Sequence, residues 1–469
     1  MSDLDFSSYI SPFSWRYSSK TMRYIFSEEY KYKIWRKIWV ALAQVQNEAG
    51  LISSIEVNNL QMNESDIDIK RILEIEKETR HDVVAAIQEF SEKATIGGGK
   101  IHLGATSMDI VDNADILRIK EALLVVEKKV IKLLVKFSDL VEKYANIPCI
   151  GYTHLQPAEP TTVGYRLAFY AQDLLTGYDQ LQFVLKTIKG KGMKGAVGTA
   201  ASYTALLNKN KMSAEVLEKK VMNKLGIDAA LISTQVYPRQ YDYLVTSVLA
   251  LFASALSKFA GDLRILQSPN IGEWAEPFKK NQVGSSAMPF KKNPVSAENI
   301  CSLGRYISKL PEIALENATL SYLERTLDDS ANKRLIIPEA FLGIDQLLIS
   351  AEKIVTGLTI NEKRISLNLE LYAPFAATES LLMLSVKKGA NRQEMHEQLR
   401  QVSLNAWEHI QEGKTNPMRV LLIKNSFIAK FITKNEIDLC FDVSKHIGNA
   451  PKRAMKLAQL IKIKFLKND

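Results

Sequence analysis

The sequence is poor in residues that interrupt regular structure and in residues that cross-link chains or bind metals. Only 14 prolines and 22 glycines occur among 469 residues, which is below average usage and favours long, uninterrupted elements. The three cysteines, Cys149, Cys301 and Cys440, are odd in number, widely spaced and form no C-x-x-C motif. This pattern argues against a disulfide framework or a zinc site and is typical of a reducing compartment.

Long apolar runs and targeting segments are also missing. No run of about 18 uncharged apolar residues occurs, which argues against a membrane span. The acidic first residues, MSDLDFSSYI, lack the basic and apolar regions of a signal peptide. P-loop, H-E-x-x-H and G-x-S-x-G motifs are absent, which argues against the corresponding nucleotide-binding, zinc-dependent and serine-hydrolase sites. We therefore expect a cytoplasmic protein without a metal centre.

Positive charge exceeds negative charge by a modest margin. Lysine and arginine number 61 and aspartate and glutamate 52, so the net charge is +9, which suits ligands that carry phosphate or carboxylate groups. Part of this excess lies in residues 451–469, which include Lys452, Arg453, Lys456, Lys462, Lys464 and Lys467. We interpret this tail as the solvated face of a terminal amphipathic helix; a nucleic-acid or membrane patch is the alternative.

Apolar pairs at seven-residue spacing predict long helices. Between residues 112 and 145 these pairs form one stripe along a helix of about 34 residues. Similar segments cover 160–188, 239–267, 294–320 and 331–358, whereas both ends of the chain contain shorter pieces. The sequence therefore predicts an all-α protein in three parts, namely an N-terminal helical domain (1–111), a central bundle of long helices (112–364) that also associates between chains, and a C-terminal helical domain (365–469).

Four polar, irregular segments contain the side chains that are capable of chemistry. They are residues 80–82 (RHD), 102–109 (HLGATSMD), 151–160 (GYTHLQPAEP) and 283–294 (VGSSAMPFKKNP). Two prolines exclude a helix in the third segment, so we expect His154 on a stiff extended stretch, where an imidazole can transfer a proton. In the fourth segment, the Gly-Ser-Ser amides can stabilise an oxyanion, and the lysines that follow can attract an anionic substrate.

Each segment also has a structural interpretation. Residues 80–82 can be a surface charge cluster, Thr106 and Ser107 can simply cap the next helix, and His154 can be a structural histidine. Gly-Ser-Ser alone is also typical of a flexible linker. Residues 190–195 match G-x-G-x-x-G, but they follow a helical run rather than a strand, so a dinucleotide site is not expected there.

Taken together, these segments resemble the shared motifs of the fumarase/aspartase superfamily of lyases. Residues 284–294 (GSSAMPFKKNP) look like its signature motif, and residues 106–109 and 153–157 resemble its two other shared regions, in the expected order. Within the superfamily, residues 80–83 (RHDV) and 323–334 (LERTLDDSANKR) are similar to motifs of the adenylosuccinate lyase family.

The resemblance covers about residues 12–400. It implies a homotetramer with a helical core, in which each active site takes residues from three subunits. It further implies elimination of fumarate from two small-molecule nucleotides of purine biosynthesis, adenylosuccinate and succinyl-aminoimidazole-carboxamide ribotide, with no metal or organic cofactor. Neither nucleic acid nor a membrane is an expected partner.

Carried over residue by residue, the resemblance also implies roles. Ser285 would be the base that removes a proton from the succinyl carbon, His154 the acid that protonates the departing nitrogen, and Glu298 the carboxylate that orients His154. Thr106, Ser107, Lys291 and Asn293 would hold the succinyl carboxylates. The remaining substrate-binding residues would contact the nucleotide and its phosphate, and they are Arg16, Tyr17, Arg80, His81, Asp82, Gln235, Arg325, Ser330 and Arg334.

Two positions depart from the family pattern, and other interpretations stay open. Glu159 stands where the family usually has glutamine, and Asn299 where some relatives have arginine. The alternatives are another fumarate-releasing lyase, such as an argininosuccinate lyase or a carboxymuconate enzyme, an inactive structural relative, and a basic helical nucleic-acid binder. The motifs at 80–83 and 324–334 argue against a sister lyase. The intact set of Ser285, His154, Lys291 and Glu298 argues against an inactive relative.

Overall fold

The computed structural model describes residues 7–208 and 212–466, and almost all of their regular structure is helical. The prediction of an all-α fold is therefore confirmed. The helices of the first half are α1 (Pro12–Trp15), α2 (Lys20–Ile25), α3 (Glu28–Glu48), α4 (Ser54–Met62), α5 (Ile69–Thr79), α6 (Asp82–Lys93), α7 (Ser107–Tyr144), α8 (Val163–Thr187), α9 (Ala201–Leu207) and α10 (Ala214–Leu225).

The second half continues in the same way and includes the other long helices. They are α11 (Gln240–Leu266), α12 (Val295–Ile307), α13 (Leu310–Leu320), α14 (Asp328–Gly357), α15 (Glu362–Lys387), α16 (Arg392–Gln411), α17 (Met418–Lys424), α18 (Lys434–Cys440) and α19 (Ala450–Leu466). Four short strands pair antiparallel as two ribbons, β1 (Pro148–Thr153) with β2 (Gln156–Thr162) and β3 (Trp274–Ala275) with β4 (Thr359–Ile360).

Local sequence explains where many of the shorter helices begin. Ser27, Ser53 and Asp68 precede α3, α4 and α5, and the side chain of each accepts a hydrogen bond from a first-turn amide. At α4, Glu56 also returns a bond to the Ser53 amide and completes a capping box. These caps satisfy amides that have no partner within the helix, and they fix the starts of the elements.

Most of the predicted long helices are confirmed to within a few residues. The segments predicted at 112–145, 160–188, 239–267 and 331–358 correspond to α7, α8, α11 and α14. Ile116, Leu123, Val130 and Phe137, which belong to the predicted seven-residue stripe of α7, are fully buried. The stripe therefore faces the interior along the helix.

The single helix predicted over 294–320 is wrong, because the chain forms α12 and α13 with a break at Ser308 and Lys309. Pro311 lies in the first turn of α13. Proline has no N–H to donate to the carbonyl four residues earlier, and its ring disfavours helical backbone at the preceding residue. The apolar periodicity continues across the break and conceals it in the sequence.

The described residues form two compact units that interleave along the chain. The first comprises the residues up to 129 together with 177–254 and 302–349, and the second comprises 130–176, 255–301 and the residues from 350 onward. The unit boundaries fall inside α7, α8, α11, α12 and α14, which supply residues to both units. The predicted domain boundaries at 111/112 and 364/365 fall inside α7 and α15, and the division into three domains stays a prediction.

Each unit has its own apolar core. In the first unit, aromatic side chains of α3 and α6 (Trp35, Trp39 and Phe90) pack with Tyr203 of α9 and with Tyr237. In the second unit, a separate cluster joins α15 to α18 and includes the fully buried side chains of Leu381, Met395, Met418, Leu422 and Ile428.

The basic tail forms α19 as far as the structure describes it. This helix buries Ala454, Ala458 and Ile461, while Lys462 reaches Asp139 at 2.8 Å and Glu142 at 2.6 Å. The prediction of a terminal amphipathic helix agrees with this arrangement, and Lys467 lies outside the described residues. Among those residues, one helix, α11, is long and apolar enough to cross a membrane by length and composition, and half of its most apolar window is buried.

Candidate active site

His154 lies at the tip of the β1–β2 hairpin. The two strands pair from Pro148 with Thr162 to Thr153 with Gln156, so His154 and Leu155 form a two-residue turn. Their φ angles are positive, 53° and 60°, as a type I′ turn requires. The prediction of an extended backbone is correct for the flanking strands but wrong for His154 itself, because the chain reverses direction there and leaves the imidazole exposed.

A buried carboxylate anchors the base of this hairpin within the second unit. Glu273 accepts hydrogen bonds from Asn368 Nδ2 at 2.9 Å and Tyr152 Oη at 3.5 Å, and it pairs with Arg166 at 3.3 Å. Arg166 also donates to the carbonyl of Ile150 in β1. Because Tyr152 and Ile150 belong to β1, these contacts fix the strand that leads to His154.

The hydroxyl of Ser285 receives main-chain hydrogen bonds from the residues that follow it. Ser285 Oγ accepts from the amide of Met288 at 3.1 Å and from that of Ala287 at 3.4 Å. The sequence predicts the amides of residues 284–286 for this role, whereas the observed donors are the next two amides along the loop. Amide N–H groups that point at a hydroxyl stabilise its alkoxide, which is the form a serine base needs.

In the loop that contains Ser285, the residues just before α12 fold back against Gly284. Asn293 Nδ2 donates to the carbonyl of Gly284 at 2.9 Å. At Gly284 the two sides of the loop approach so closely that a Cβ would lie 2.0 Å from the Lys291 carbonyl oxygen, so a glycine is required there. Lys291 is exposed next to this contact, and Glu298 is exposed in the first turn of α12.

The three predicted catalytic groups belong to the second unit, and each lies on a different segment of it. Within residues 7–208 and 212–466, no hydrogen bond or ion pair joins His154 to Ser285 or to Glu298. His154 and Glu298 are exposed, and Ser285 is half-exposed. The described part of the chain therefore lacks the hydrogen bond between His154 and Glu298 that the resemblance implies.

In the first unit, the turn between α5 and α6 meets α14. Arg80 ends α5 in the left-handed conformation with a φ of 55°, and His81 caps α6 by accepting the Val84 amide at Nδ1. Asp82 pairs with Arg334 of α14 at 3.4 Å, and both side chains are at least partly exposed. Four of the predicted substrate-binding residues, Arg80, His81, Asp82 and Arg334, therefore share one locality.

Gln235 and Arg325 form a second pair in the first unit. Arg325 Nη1 donates to Gln235 Oε1 at 2.9 Å, and the Gln235 amide donates to the carbonyl of Glu324 at 3.3 Å. The Arg325 Nε is buried and has no hydrogen-bond partner among the described residues. Ser330 follows in the first turn of α14, where its amide donates to the Leu327 carbonyl. A buried guanidinium N–H without an acceptor is costly unless a ligand supplies one.

Arg16 and Tyr17 follow α1 on a segment that is fastened to α14. The Ser18 hydroxyl and the Ser19 amide both donate to Asp345, at 3.0 and 2.7 Å. Arg16 lies 5.7 Å from the centre of the Trp15 ring, and Tyr17 packs edge-on against Phe13. No described hydrogen bond joins either residue to another predicted site residue.

Thr106 and Ser107 lie at the start of α7, as predicted. Their hydroxyls, however, make no hydrogen bond among the described residues. The capping contact comes from Asp109, which accepts the Thr106 amide at 3.0 Å. Asp109 is fully buried and pairs with Lys191. The G-x-G-x-x-G segment around Lys191 also points the amides of Lys194 and Gly195 at Asp109, so it holds an internal carboxylate.

The sequence predicts no role for two further side chains of the first unit, His102 and Arg239. His102 accepts a hydrogen bond at Nδ1 from Trp39 Nε1 at 3.1 Å, and burial lowers the pKa of its imidazole to about 4, so it is neutral near pH 7. Arg239 joins Asp112 of α7 to Asp329 of α14, the latter at 2.6 Å. The sequence does not predict the two ion pairs of Arg239, because both partners are far from it along the chain.

Two family models and one solved structure show which class of protein this chain resembles. The family model described as Lyase matches residues 16–307, and the one described as Adenylosuccinate lyase C-terminus matches residues 374–456. A crystal structure of 3-carboxy-cis,cis-muconate lactonizing enzyme from Pseudomonas putida has a TM-score of 0.84 at 22% identity, over 96% of this chain and 99% of that one. Fold and family model together define the chain as a lyase.

Relatives of known function show which family of lyases the chain belongs to. Adenylosuccinate lyase from Saccharomyces cerevisiae is 36% identical over 461 residues, which cover 97% of this chain and 95% of the yeast protein. The enzyme of the same name from Schizosaccharomyces pombe is 36% identical over 455 residues, 96% of this chain and 94% of its own. The chain belongs to the adenylosuccinate lyase family, which confirms the resemblance drawn from its motifs.

Proposed function

We propose that this enzyme is a carbon–nitrogen lyase that eliminates fumarate from adenylosuccinate to leave AMP, and from succinyl-aminoimidazole-carboxamide ribotide to leave the carboxamide ribotide. Both steps belong to purine biosynthesis. Family membership supports this reaction. The main-chain hydrogen bonds to the Ser285 hydroxyl support it most directly. A serine that acts as a base needs a stabilised alkoxide, and two amides point at this hydroxyl.

In the proposed reaction, Ser285 takes the proton from the succinyl carbon beside a carboxylate. The electrons left on that carbon move into the carboxylate, which becomes dianionic before the carbon–nitrogen bond breaks. Lys291 and Asn293, a few residues after Ser285 on the same loop, would bind this charge together with Thr106 and Ser107. Positive charge and N–H donors stabilise the transition state more than the substrate, because the negative charge is greater there.

His154 would protonate the departing nitrogen, so that AMP leaves as a neutral amine. A histidine donates a proton near neutral pH, and a carboxylate next to it keeps it protonated until the transfer. Glu298 is the proposed carboxylate. Exposure of both side chains within one chain supports a contact that forms between chains.

The nucleotide part would bind to the predicted residues of the first unit. Arg325 holds one buried N–H without an acceptor, and a phosphate or ribose oxygen would satisfy it. The exposed guanidinium of Arg334 beside Asp82 and His81 offers a second cationic site for phosphate. These two localities favour a substrate with an anionic nucleotide over one without phosphate.

A homotetramer with shared active sites is part of the proposal. Several long helices leave large apolar side chains exposed in the single chain, including Phe169 and Phe183 of α8 and Leu251 of α11, which are about half exposed. Apolar side chains at these positions are expected to pack against other subunits. A cytoplasmic location, where free cysteines stay reduced, is likewise proposed.

The direct test is incubation of the purified chain with adenylosuccinate, following the loss of its ultraviolet absorbance and the appearance of fumarate. Stoichiometric AMP and fumarate are expected. Argininosuccinate serves as the control substrate because it carries the same succinyl group without a nucleotide. Turnover of argininosuccinate but not adenylosuccinate would assign the chain to a sister lyase, and turnover of neither would refute the proposed function.

The His154→Ala variant tests the role of the imidazole. Loss of a general acid is expected to lower kcat by about 10²–10⁴-fold while the fold is kept, because the side chain is exposed at a hairpin tip. Steady-state kinetics measure the effect, and circular dichroism verifies the fold. A variant that turned over at nearly the parent rate would exclude His154 as the acid.

A further inference from the structure

We propose that Glu276 and Gln267 are positioning residues for the Ser285 loop and for the first turn of α12. Residues 277–294, here called the signature loop, lie between β3 and α12, and the two side chains join the ends of this loop. Neither residue belongs to the predicted site. The inference rests on the proposed function, since it concerns how that reaction's groups are held.

Glu276 supplies the N-terminal cap that the sequence of α12 lacks. Pro294 occupies the cap position, because its carbonyl accepts the Glu298 amide at 2.9 Å, but a proline side chain has no acceptor for the next amides. Glu276 accepts from the amide of Ser296 at 3.1 Å with one oxygen and from that of Ala297 at 3.0 Å with the other. The cap therefore comes from the far end of the signature loop.

The surroundings of the Glu276 carboxylate strengthen its hydrogen bonds to the start of α12. The residue is only 4% exposed, and hydrogen bonds between a charged acceptor and amides are stronger than neutral ones when water is excluded. The negative charge also lies at the positive end of the α12 dipole. Loss of this group would leave two first-turn amides unpaired in the turn that contains Glu298.

Gln267, directly after α11, joins the same two ends of the loop with one amide group. Its Oε1 accepts the Glu276 amide at 2.9 Å, and its Nε2 donates to the Lys292 carbonyl at 3.0 Å. Lys292 lies between Lys291 and Asn293, both proposed to bind the succinyl carboxylates. The Asn293 bond to Gly284 then continues the connection to the residue before Ser285.

The geometry therefore links the side chains that would perform the chemistry to two residues outside the predicted site. Shifts of about 1 Å at reacting groups can cost on the order of 10²-fold in rate. Weakening either contact is expected to lower kcat more than it changes KM, because Ser285 and Glu298 would act in the chemical step, whereas only Lys291 and Asn293 of the proposed substrate-binding residues lie on this loop.

The experiment compares Glu276→Ala, Glu276→Gln and Gln267→Glu with the parent enzyme. Glutamine at 276 keeps one acceptor oxygen, and glutamate at 267 keeps the bond to the Glu276 amide but places an oxygen against the Lys292 carbonyl. Glu436→Ala is the matched control, because Glu436 accepts the Thr433 amide at the start of α18, away from the loop. Steady-state kinetics and hydrogen exchange at the amides of Ser296 and Ala297 are measured.

For Glu276→Ala we expect faster exchange at both amides and a kcat about 10–100-fold lower, with KM within about threefold. Glu276→Gln is expected to fall between it and the parent, Gln267→Glu to lower kcat without exposing both amides, and Glu436→Ala to change neither measurement. If Glu276→Ala does not fold, Glu276→Gln and Gln267→Glu decide the question.

An unchanged kcat in folded Glu276 and Gln267 variants of an active parent enzyme would overturn the positioning role. Unchanged exchange at Ser296 and Ala297 in a Glu276 variant would overturn the cap. A parent enzyme without activity on adenylosuccinate would instead refute the proposed function, and the positioning role with it.

Discussion

At the scale of single residues, motif membership does not determine what a side chain does. Asp109 belongs to a motif that resembles a substrate-binding region, yet it is fully buried and faces Lys191 and the amides of Lys194 and Gly195. Its contribution is to fix the start of α7, where Thr106 and Ser107 stand. Burial, which the motif does not encode, separates the role of Asp109 from the roles of these two neighbours.

The buried pair of Asp109 and Lys191 gives a prediction for stability. Asp109→Asn leaves the Lys191 ammonium without its counter-charge, and such losses cost roughly 3–5 kcal/mol of the free energy of unfolding. Urea denaturation measures the change. Glu312→Gln, which breaks the exposed pair with Lys309, is the control and is expected to leave the midpoint unchanged.

A second variant distinguishes the charge effect from a packing effect. If the unpaired ammonium is the cause, Asp109→Asn combined with Lys191→Met removes both charges and is expected to recover part of the loss. Equal destabilisation of the single and double variants would contradict that explanation.

At the scale of secondary-structure elements, the sequence predicts most of the long helices but not the β1–β2 hairpin. Seven-residue apolar spacing located α7, α8, α11 and α14, because a buried stripe repeats at the helical period. The β1–β2 hairpin has no comparable signal, since its turn residues are His154 and Leu155 rather than the Asn-Gly or Asp-Gly typical of such turns. Two prolines excluded a helix there, but they did not predict the pairing partner.

The contact between α7 and α8 leads to a prediction at this scale. Gly164 lies in the first turn of α8, and a Cβ there would lie 2.5 Å from Cα of Ala145. Gly164→Ala is expected to destabilise the protein by about 1–3 kcal/mol through backbone displacement, although alanine is the better helix former. Thermal unfolding of the parent and the variant measures the difference.

Gly261 of α11 is the matched control, because nothing lies within 4 Å of the Cβ it would acquire. Gly261→Ala is expected to raise the melting temperature, since alanine in a helix is favoured over glycine by about 1 kcal/mol. If both variants shifted in the same direction, close approach at Gly164 would not be the cause.

At the scale of the whole molecule, the motifs predict which residues form the active site but not where those residues meet. The motifs named His154, Ser285 and Glu298, and the structure leaves all three at least partly exposed within one chain. By contrast, Asp82 with Arg334 and Gln235 with Arg325 do meet within a chain, although more than 80 residues separate each pair. Sequence alone could not distinguish the two cases, because separation along the chain does not indicate which side chains meet when it folds.

Shared active sites can be tested by complementation. His154→Ala and Ser285→Ala are each expected to be inactive, but a mixture of the two after subunit exchange should recover up to about a quarter of parent activity. A recovered site needs an intact histidine and an intact serine from different subunits, each drawn from an equal mixture. Mass spectrometry of the mixed oligomers verifies the exchange, and no recovery in confirmed hybrids would contradict shared sites.

The donors to Ser285 belong to the main chain, and this affects how the loop can vary over evolution. Replacement of Ala287 or Met288 by most other amino acids leaves both N–H groups in place. Only proline at these positions would remove a donor outright. Selection can therefore tolerate drift in these two side chains while the environment of the serine persists.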